Sequence, residues 1–415
     1  MTKAFNLALS IVKKLNDAGY VAYFAGGWVR DFLLKHPSDD IDIATNATPD
    51  IIQSLFSHTV PIGISFGIIL VVEDDHPFEV ATFRKESDYE DKRRPSSISF
   101  TTAVEDAKRR DFTINGLFYD PIKEEILDYV EGEKDLKRKI IRAIGNPHER
   151  IQEDRLRMIR AIRFSARLSF EIDPPTKEAI VAHANELFPY VAIERVWQEL
   201  NKMSLYPNFA KALEVLFEFD LLQQIFPQLE EKSVKNIQRK LQHVKDFPPC
   251  PAIAKILELF PHFSLEEKIN LCRHFKLSNQ DMDFVIFYHE TEKMLQKKQI
   301  EDFEWAYFFS NKFSEIIDQI IACKMPAPEK EIFLKSHKEK KGHLKEEIRR
   351  IQEKDPLVRA LHLKEQGIVP GKNMGLLLNL AEKIAINEKI NDPDEIIKKL
   401  KDTPLWPKLD EELQP

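Results

Sequence analysis

Cysteine is nearly missing from this chain: Cys250, Cys272 and Cys323 are the three in 415 residues, and they lie far apart. Their spacing excludes a disulfide framework and a multi-cysteine zinc site, and free thiols suit a reducing compartment, so a cytoplasmic location is expected. Long apolar runs are missing too, which excludes a bilayer-spanning helix and with it a membrane partner. The opening stretch MTKAFNLALSIVKKLNDAGY is interrupted by Lys13 and Lys14 and lacks a small-residue cleavage site. It reads as an amphipathic helix ended by a glycine, not as a secretory signal. Positive charge is not in excess: the formal net charge is −7, so a nucleic-acid partner needs a local basic surface. No fixed-period repeat is evident, nor any segment that points to an obligate protein partner.

What is present fits a globular chain, with 43% hydrophobic and 31% charged residues, and 415 residues exceed one ordinary core. Up to about residue 145, short β-rich runs (VAYFAGG, DIDIAT, GIILVVE and FEVATFR) close on Gly, Asp or Pro signals. IIQSLF, between them, follows the helix start Thr48-Pro49-Asp50. From about residue 150, apolar residues recur at helical spacing, as in RLRMIRAIRFSARL and FAKALEVLFEFDLLQQIF. The fold class is therefore α+β. A head, residues 1–145, carries a small mixed or antiparallel sheet with helices; a helical neck, 146–205, and a helical body and tail, 206–415, follow.

The head contains FAGGWVRDFLLKHPSDDIDIA, Phe24 to Ala44. Strand alternation sends Asp40 and Asp42 to one face and Ile41 to the other. Two carboxylates side by side repel each other unless a cation lies between them. Hard oxygen ligands suit Mg²⁺, which keeps waters and accepts substrate phosphates as further ligands. Such a site stabilises the attacking and leaving oxygens of an in-line phosphoryl displacement. Gly26 and Gly27 then acquire a role, because a turn without Cβ atoms lets backbone N–H groups approach phosphates, with Arg30 on the next helix within reach. Taken alone, D-x-D also describes a solvated strand edge, and Gly-Gly an ordinary turn.

In the neck, Glu153, Asp154, Arg155, Arg157, Arg160, Arg163 and Arg167 crowd what reads as one helix. A basic surface helix explains this equally well, with Glu153 and Arg157 as an i,i+4 pair. Asp154 and Arg157, three residues apart, project from neighbouring points on one face. Aspartate accepts hydrogen bonds and arginine donates them. The couple matches an exocyclic amino group beside an acceptor ring nitrogen, the edge that cytosine and adenine share. Uracil and guanine present a carbonyl beside an N–H, and a site left with unpaired groups rejects them. One fixed pair of side chains therefore selects C and A without a template. Arg160 stays near the reading face, whereas Arg163 and Arg167 rotate away, about 60° for each further three residues.

The combination GGWVRD followed by DDIDIAT resembles the polymerase β-like nucleotidyltransferase superfamily. More narrowly, it is similar to the class II tRNA nucleotidyltransferase and bacterial poly(A) polymerase family. KRRDFTINGLFYDP and EDRLR resemble further motifs of that family, AIERVWQELNKM and GIVPGKNMGLLLNLAEKIAI its later segments. The resemblance implies a nucleotidyltransferase head, Mg²⁺ as the essential ion, CTP and ATP as substrates, and the tRNA 3′ acceptor end as partner. It implies that Asp40 and Asp42 hold metal and that Glu79, on a neighbouring strand, is a third acid or an ordinary strand residue. It places Arg109, Arg110 and Asp111 near the sugar and phosphates of the nucleotide. Arg110 is the better contact, Asp111 accepts from a ribose hydroxyl or holds an arginine, and Asn115 is structural. Arg160 and Arg163 match arginines of the pattern and serve phosphate, ribose or packing; Arg195 braces the neck. Lys137, Arg138, Lys139, Arg142 and Arg150 suit the acceptor end of a tRNA. Phe83 to Phe100 is a polar, exposed loop whose counterpart favours adenosine addition. The expected function is template-independent addition of CCA to tRNA; the alternatives are an adenosine-only enzyme and a non-catalytic RNA-binding module.

Overall fold

The computed structural model describes residues 2–36, 38–87 and 97–407. The chain forms two compact units, Met1–Lys245 and Asp246–Pro415. The first opens with α1 (Lys3–Asp17), capped by the Thr2 hydroxyl, which accepts from the Phe5 N–H. Ala8, Ile11, Val12 and Leu15 are buried at helical spacing along it.

The head sheet contains β1 (Ala22–Ala25), β2 (Asp42–Thr45), β3 (Thr59–Gly63), β4 (Ile68–Glu73), β5 (His76–Thr82), β8 (Leu117–Asp120) and β9 (Glu125–Asp128). Their order is β3-β4-β5-β2-β1-β8-β9. β2 and β5 are parallel and the other neighbours antiparallel, so the sheet is mixed. Register decides what lies at the working edge. Ala25 pairs with Asp42 on one side and with Phe118 on the other, while Ile43 pairs with Val80. The Gly26-Gly27 turn, Asp42 and Glu79 therefore share one edge of the sheet. Between strands lie α2 (Gly27–Leu33), α3 (Pro49–Leu55), α4 (Ala103–Lys108) and α5 (Gly132–Arg138). α2 docks through Trp28, which meets Phe24 edge-on at 5.1 Å and Phe5 at 5.9 Å. Aromatic area of this kind anchors a two-turn helix that propensity alone would not hold.

One expectation is corrected here. The stretch expected as a loop has paired ends, β6 (Arg84–Ser87) and β7 (Ser97–Phe100), which form an antiparallel ribbon. Its middle, residues 88–96, lies outside the described residues.

The first unit continues with the two-residue strand β10 (Ile140–Ile141), α6 (Pro147–Glu153), α7 (Leu156–Leu168), β11 (Glu171–Ile172), α8 (Pro174–His183), α9 (Ile193–Ser204), α10 (Phe209–Glu218), α11 (Leu221–Ile225) and α12 (Val234–Leu241). A second correction concerns α6 and α7, expected as one helix. Asp154 is extended, at φ −146° and ψ 105°, and breaks the run. Its carboxylate then accepts from the Leu156 N–H at 3.0 Å, so the residue that stops one helix starts the next.

The described part of the second unit is helical: α13 (Ala252–Ile256), α14 (Leu265–His274), α15 (Asn279–Leu295), α16 (Asp302–Ser310), α17 (Ser314–Cys323), α18 (Ala327–His343), α19 (Lys345–Glu353), α20 (Ala360–Glu365), α21 (Lys372–Glu388) and α22 (Pro393–Lys401). Leu363, Leu377, Ile396 and Leu400 form a core between the last three helices. No described helix is long and apolar enough to cross a membrane.

Candidate active site

A cavity of about 590 Å³ opens in the first unit, lined by Gly26, Gly27, Asp42, Asp154, Arg157 and a set of further arginines. The head contributes its carboxylates at the working edge of the sheet. Ile41 is buried, and Asp40 and Asp42 are exposed on either side of it. Loss of hydrating water, then the like charges of Glu79 and Asp40, push the Asp42 carboxyl up to about 6; Arg110 offsets part of this. Solvent still reaches Asp42, so water screens some of the crowding. Asp40 and Glu79 act on Asp42 from outside the cavity lining. No group of three or more His, Cys, Asp or Glu is placed as a ready-made metal cage among the described residues.

Gly26 has a φ of +65°, and a Cβ there would lie 2.8 Å from Arg110 Nη1. Glycine is thus required twice, for the backbone and for the arginine beside it. The Gly26 N–H donates to the Leu117 carbonyl at 3.1 Å, which removes it from the N–H groups expected to meet phosphate. Arg110 donates to Asp106 at 3.0 Å and stands over the Phe118 ring at 4.9 Å. Arg109 also donates to Asp106, at 2.8 Å. Asp106 is buried, which opposes ionisation, but Arg110 and Arg109 hold its carboxyl below the usual range.

The arginines of α7 are tied to acids brought from elsewhere. Arg167 meets Asp31 at 2.7 Å, and Asp31 accepts from Arg30 Nε at 2.9 Å. Arg30 Nη1 donates to the Asn115 side-chain oxygen at 2.6 Å, and the Asn115 amide donates to Asp111 at 3.0 Å. Asp111 accepts from Arg160 Nε at 2.9 Å. Glu199 lies 3.6 Å from Arg160 and accepts from Arg163. Phe164 lies beneath three of these guanidiniums, 5.2 Å from Arg30, 5.5 Å from Arg160 and 4.1 Å from Arg163. Burial opposes ionisation of Asp111, yet Arg160 and the Asn115 hydrogen bond hold its carboxyl well below the usual range. Arg30, 2% exposed, is disfavoured as a cation by burial and sustained by Asp31.

These contacts adjust several expectations. Arg30 and Arg163 line the cavity but are buried and bound to protein acids. Asp111 holds Arg160, the second of the two roles considered for it. Asn115 is the hinge of the whole chain of contacts. Arg142 pairs with Asp135 and Asp173, and Arg150 with Glu153 and the Arg110 carbonyl, so neither is a free surface cation. Sequence reasoning missed Arg84, Phe164 and Arg167 as cavity residues and gave Arg195 a bracing role alone. Arg195 does brace: it donates to Asp154 at 2.8 Å, and it also lines the cavity. A dense arginine run was the available signal for Arg167; nothing local marks Arg84.

Asp154 and Arg157 both reach the cavity, although Asp154 precedes the helix. Arg157 donates to Glu153 at 2.6 Å and to the Arg150 carbonyl at 2.5 Å. An acceptor held by Arg195 and a donor held by Glu153 thus face one space, opposite the acids of the sheet. A mixed sheet presenting Asp42 to an arginine-lined cavity, with Asp40 and Glu79 close behind it, defines a nucleotidyltransferase architecture. Residues 22–142 match the family described as "Poly A polymerase head domain", and residues 169–233 the one described as "Probable RNA and SrmB- binding site of polymerase A".

The chain is 35% identical over 401 residues to the CCA-adding enzyme of Ligilactobacillus salivarius, covering 96% of each protein. It belongs to the CCA-adding enzyme family. Its match to the CCA-adding enzyme of Streptococcus uberis is 46% identical and covers 52% of this chain and 53% of that one. The structure of the Bacillus stearothermophilus CCA-adding enzyme in complex with CTP superposes with a TM-score of 0.80 at 26% identity, covering 96% of this chain and 98% of that one.

Proposed function

We infer that this chain adds C, C and A to the 3′ end of tRNA, without a template, from CTP and ATP. The observation that carries this reading is one cavity faced both by Asp42, crowded by Asp40 and Glu79 behind it, and by an acceptor–donor couple fit for a base edge. The relatives named CCA-adding enzymes support it, and nothing favours the adenosine-only alternative.

Asp42 and Asp40 would hold Mg²⁺, with Glu79 as the third acid of the corner. The fit rests on Asp42, whose carboxyl is pushed up by burial and then by Glu79 and Asp40; a cation relieves the repulsion between the acids. The protein shell is incomplete, as suits an ion that completes its octahedron with water and phosphate oxygens. When bound, that ion polarises the phosphoryl group and neutralises charge on the departing diphosphate.

The chain's own residues do the rest. Asp154 accepts from the exocyclic amine of C or A, and Arg157 donates to the adjacent ring nitrogen. Uracil and guanine meet like against like there. Arg109 and Arg110, held by Asp106, present positive charge to the triphosphate beside the Gly26-Gly27 turn. Arg30, Asp111, Asn115, Arg160 and Arg163 set the distance between sheet and reading couple. The head spans 1–145, the neck 146–205, and the helices of 206–415 carry the tRNA. The enzyme works in the cytoplasm.

The test is incubation with tRNA lacking its last three nucleotides, with CTP alone, ATP alone and both. Two C residues from CTP alone and a complete CCA from both are expected. Incorporation of ATP but never CTP would remove the reading. If Asp42→Ala left both RNA binding and transfer intact, the catalytic assignment of Asp42 would fail; RNA binding without any transfer by the wild-type protein would leave a non-catalytic RNA-binding module.

A further inference from the structure

The second unit contains another charged cavity, of about 410 Å³, to which no role has been given. Its polar lining is Lys268 on α14, His289, Glu292 and Lys293 on α15, Gln296 just after α15, and Lys324 just after α17. Two of these groups are almost fully buried, Lys268 at 5% and His289 at 8% exposure. Lys268 Nζ donates to Glu292 at 3.0 Å and lies 6.0 Å from the Tyr288 ring. An ammonium has three protons, so this pairing leaves donor capacity over. His289 Nε2 is buried and has no hydrogen-bond partner. Native interiors rarely leave such an atom unsatisfied, and each case calls for an explanation.

The chemistry of the lining restricts what satisfies it. Three lysines stand against one lining carboxylate, and even with Glu258, which pairs with Lys324 at 2.5 Å, the balance stays positive. A cation is repelled by that balance, and a neutral apolar ligand leaves Nε2 unpaired. Burial, then Lys268 and Lys293, hold the His289 imidazole below its usual range, so it is neutral and offers one N–H. The lining also includes Phe263, stacked on Phe260 at 4.5 Å, with Ile321 and Met325. The cavity has room for more than a bare oxyanion.

We propose that this pocket binds a phosphate ester, with His289 Nε2–H and the remaining Lys268 protons as its buried donors and the exposed Lys293 at its mouth. The apolar wall takes the organic part. A phosphate of this kind comes either from an RNA backbone or from a free phosphorylated molecule. The proposal is independent of the catalytic reading, because no residue of the pocket lies in the first unit.

The test is calorimetric titration of the full chain with inorganic phosphate at constant ionic strength. Nucleotide is left out, because CTP is itself a phosphate ester, and any signal from the catalytic cavity is identified as the part lost in Arg110→Ala. Saturable binding is expected in wild type, at least tenfold weaker in His289→Phe and Lys268→Met, and largely kept in His289→Gln, which retains an amide donor. In parallel, KM and kcat are measured for tRNA lacking CCA. A rise in KM at unchanged kcat in both variants identifies an RNA phosphate as the occupant. Unchanged KM with loss of phosphate binding identifies a free phosphate ester. Absence of saturable phosphate binding in wild type together with unchanged tRNA KM in the variants overturns the proposal. So does phosphate binding that persists undiminished in both variants, which would mark an adventitious ion only.

Discussion

Two patches of the same cavity treat charge in opposite ways. At the sheet edge, Asp42 faces Glu79 and Asp40, acid against acid, and its carboxyl is pushed up to about 6. Along α7, each of Arg160, Arg163 and Arg167 is tied to an acid from another element: Asp111, Glu199 and Asp31. The first patch stores repulsion that a cation can release. The second is already neutralised and serves as a frame. Strained, uncompensated charge marks where chemistry is expected, and compensated charge marks what positions it. Asp154 and Arg157 line the same cavity, each held by a partner of its own, Arg195 and Glu153.

The contrast can be broken at its strained end first. Asp42→Ala should lower nucleotide incorporation by about a thousand-fold or more, the upper end of what one electrostatic group supplies. Single-turnover transfer from CTP measures it, with tRNA binding unchanged as the control. A loss below about tenfold would mean that the acid corner is not the reacting one. Next in size is selectivity. Asp154→Ala or Arg157→Ala should reduce the preference for CTP over UTP by about 10–100-fold, the worth of one hydrogen bond to a charged group. The ratio of kcat/KM values reads this directly, and an unchanged ratio in both variants would rule out base reading by this couple.

The frame is tested by Asn115→Ala, which leaves Arg30 Nη1 without its acceptor and takes one of two donors from Asp111 Oδ1, the other being the Phe112 N–H. Stability should fall by about 2 kcal/mol, seen in a denaturant midpoint, and kcat should fall more than KM changes. Wild-type kcat in this variant would show that the chain of contacts does not position the site. The smallest effect concerns pH. A carboxyl at about 6 in the folded chain and near 3.8 unfolded binds protons more tightly when folded. Wild-type stability contributed by Asp42 therefore declines as pH rises between those values. Asp42→Asn should melt higher than wild type at pH 7.5 without metal, and the gap should close near pH 4. Added Mg²⁺ should raise the wild-type melting temperature more than that of the variant.

Much of the site was legible because its signals are local. The period of two marked Asp40 and Asp42 for exposure and Ile41 for burial, as found, although β2 begins only at Asp42. Strand–turn–helix texture located the Gly26-Gly27 turn, and apolar spacing marked the helices after residue 150. Other features were hidden. Neither glycine nor proline announces the break at Asp154; it is stabilised by Arg195, forty-one residues on, and by the cap on Leu156. The arginine run advertised a basic surface, yet Arg160, Arg163 and Arg167 are neutralised by acids 36 to 136 residues away. The paired strands at the ends of the 83–100 stretch were also missed, since polar composition reads as loop whatever partner it finds.

By itself the sequence determined the sheet edge with its acids, the glycine turn and the helical remainder. These follow from side-chain alternation, backbone freedom and helical period, which act over a few residues. Only the tertiary structure decided which arginines face the cavity, which are locked, and where Asp154 points. Those outcomes depend on charges meeting across long stretches of chain, and a charge carries no local sign of the partner that folding will bring to it.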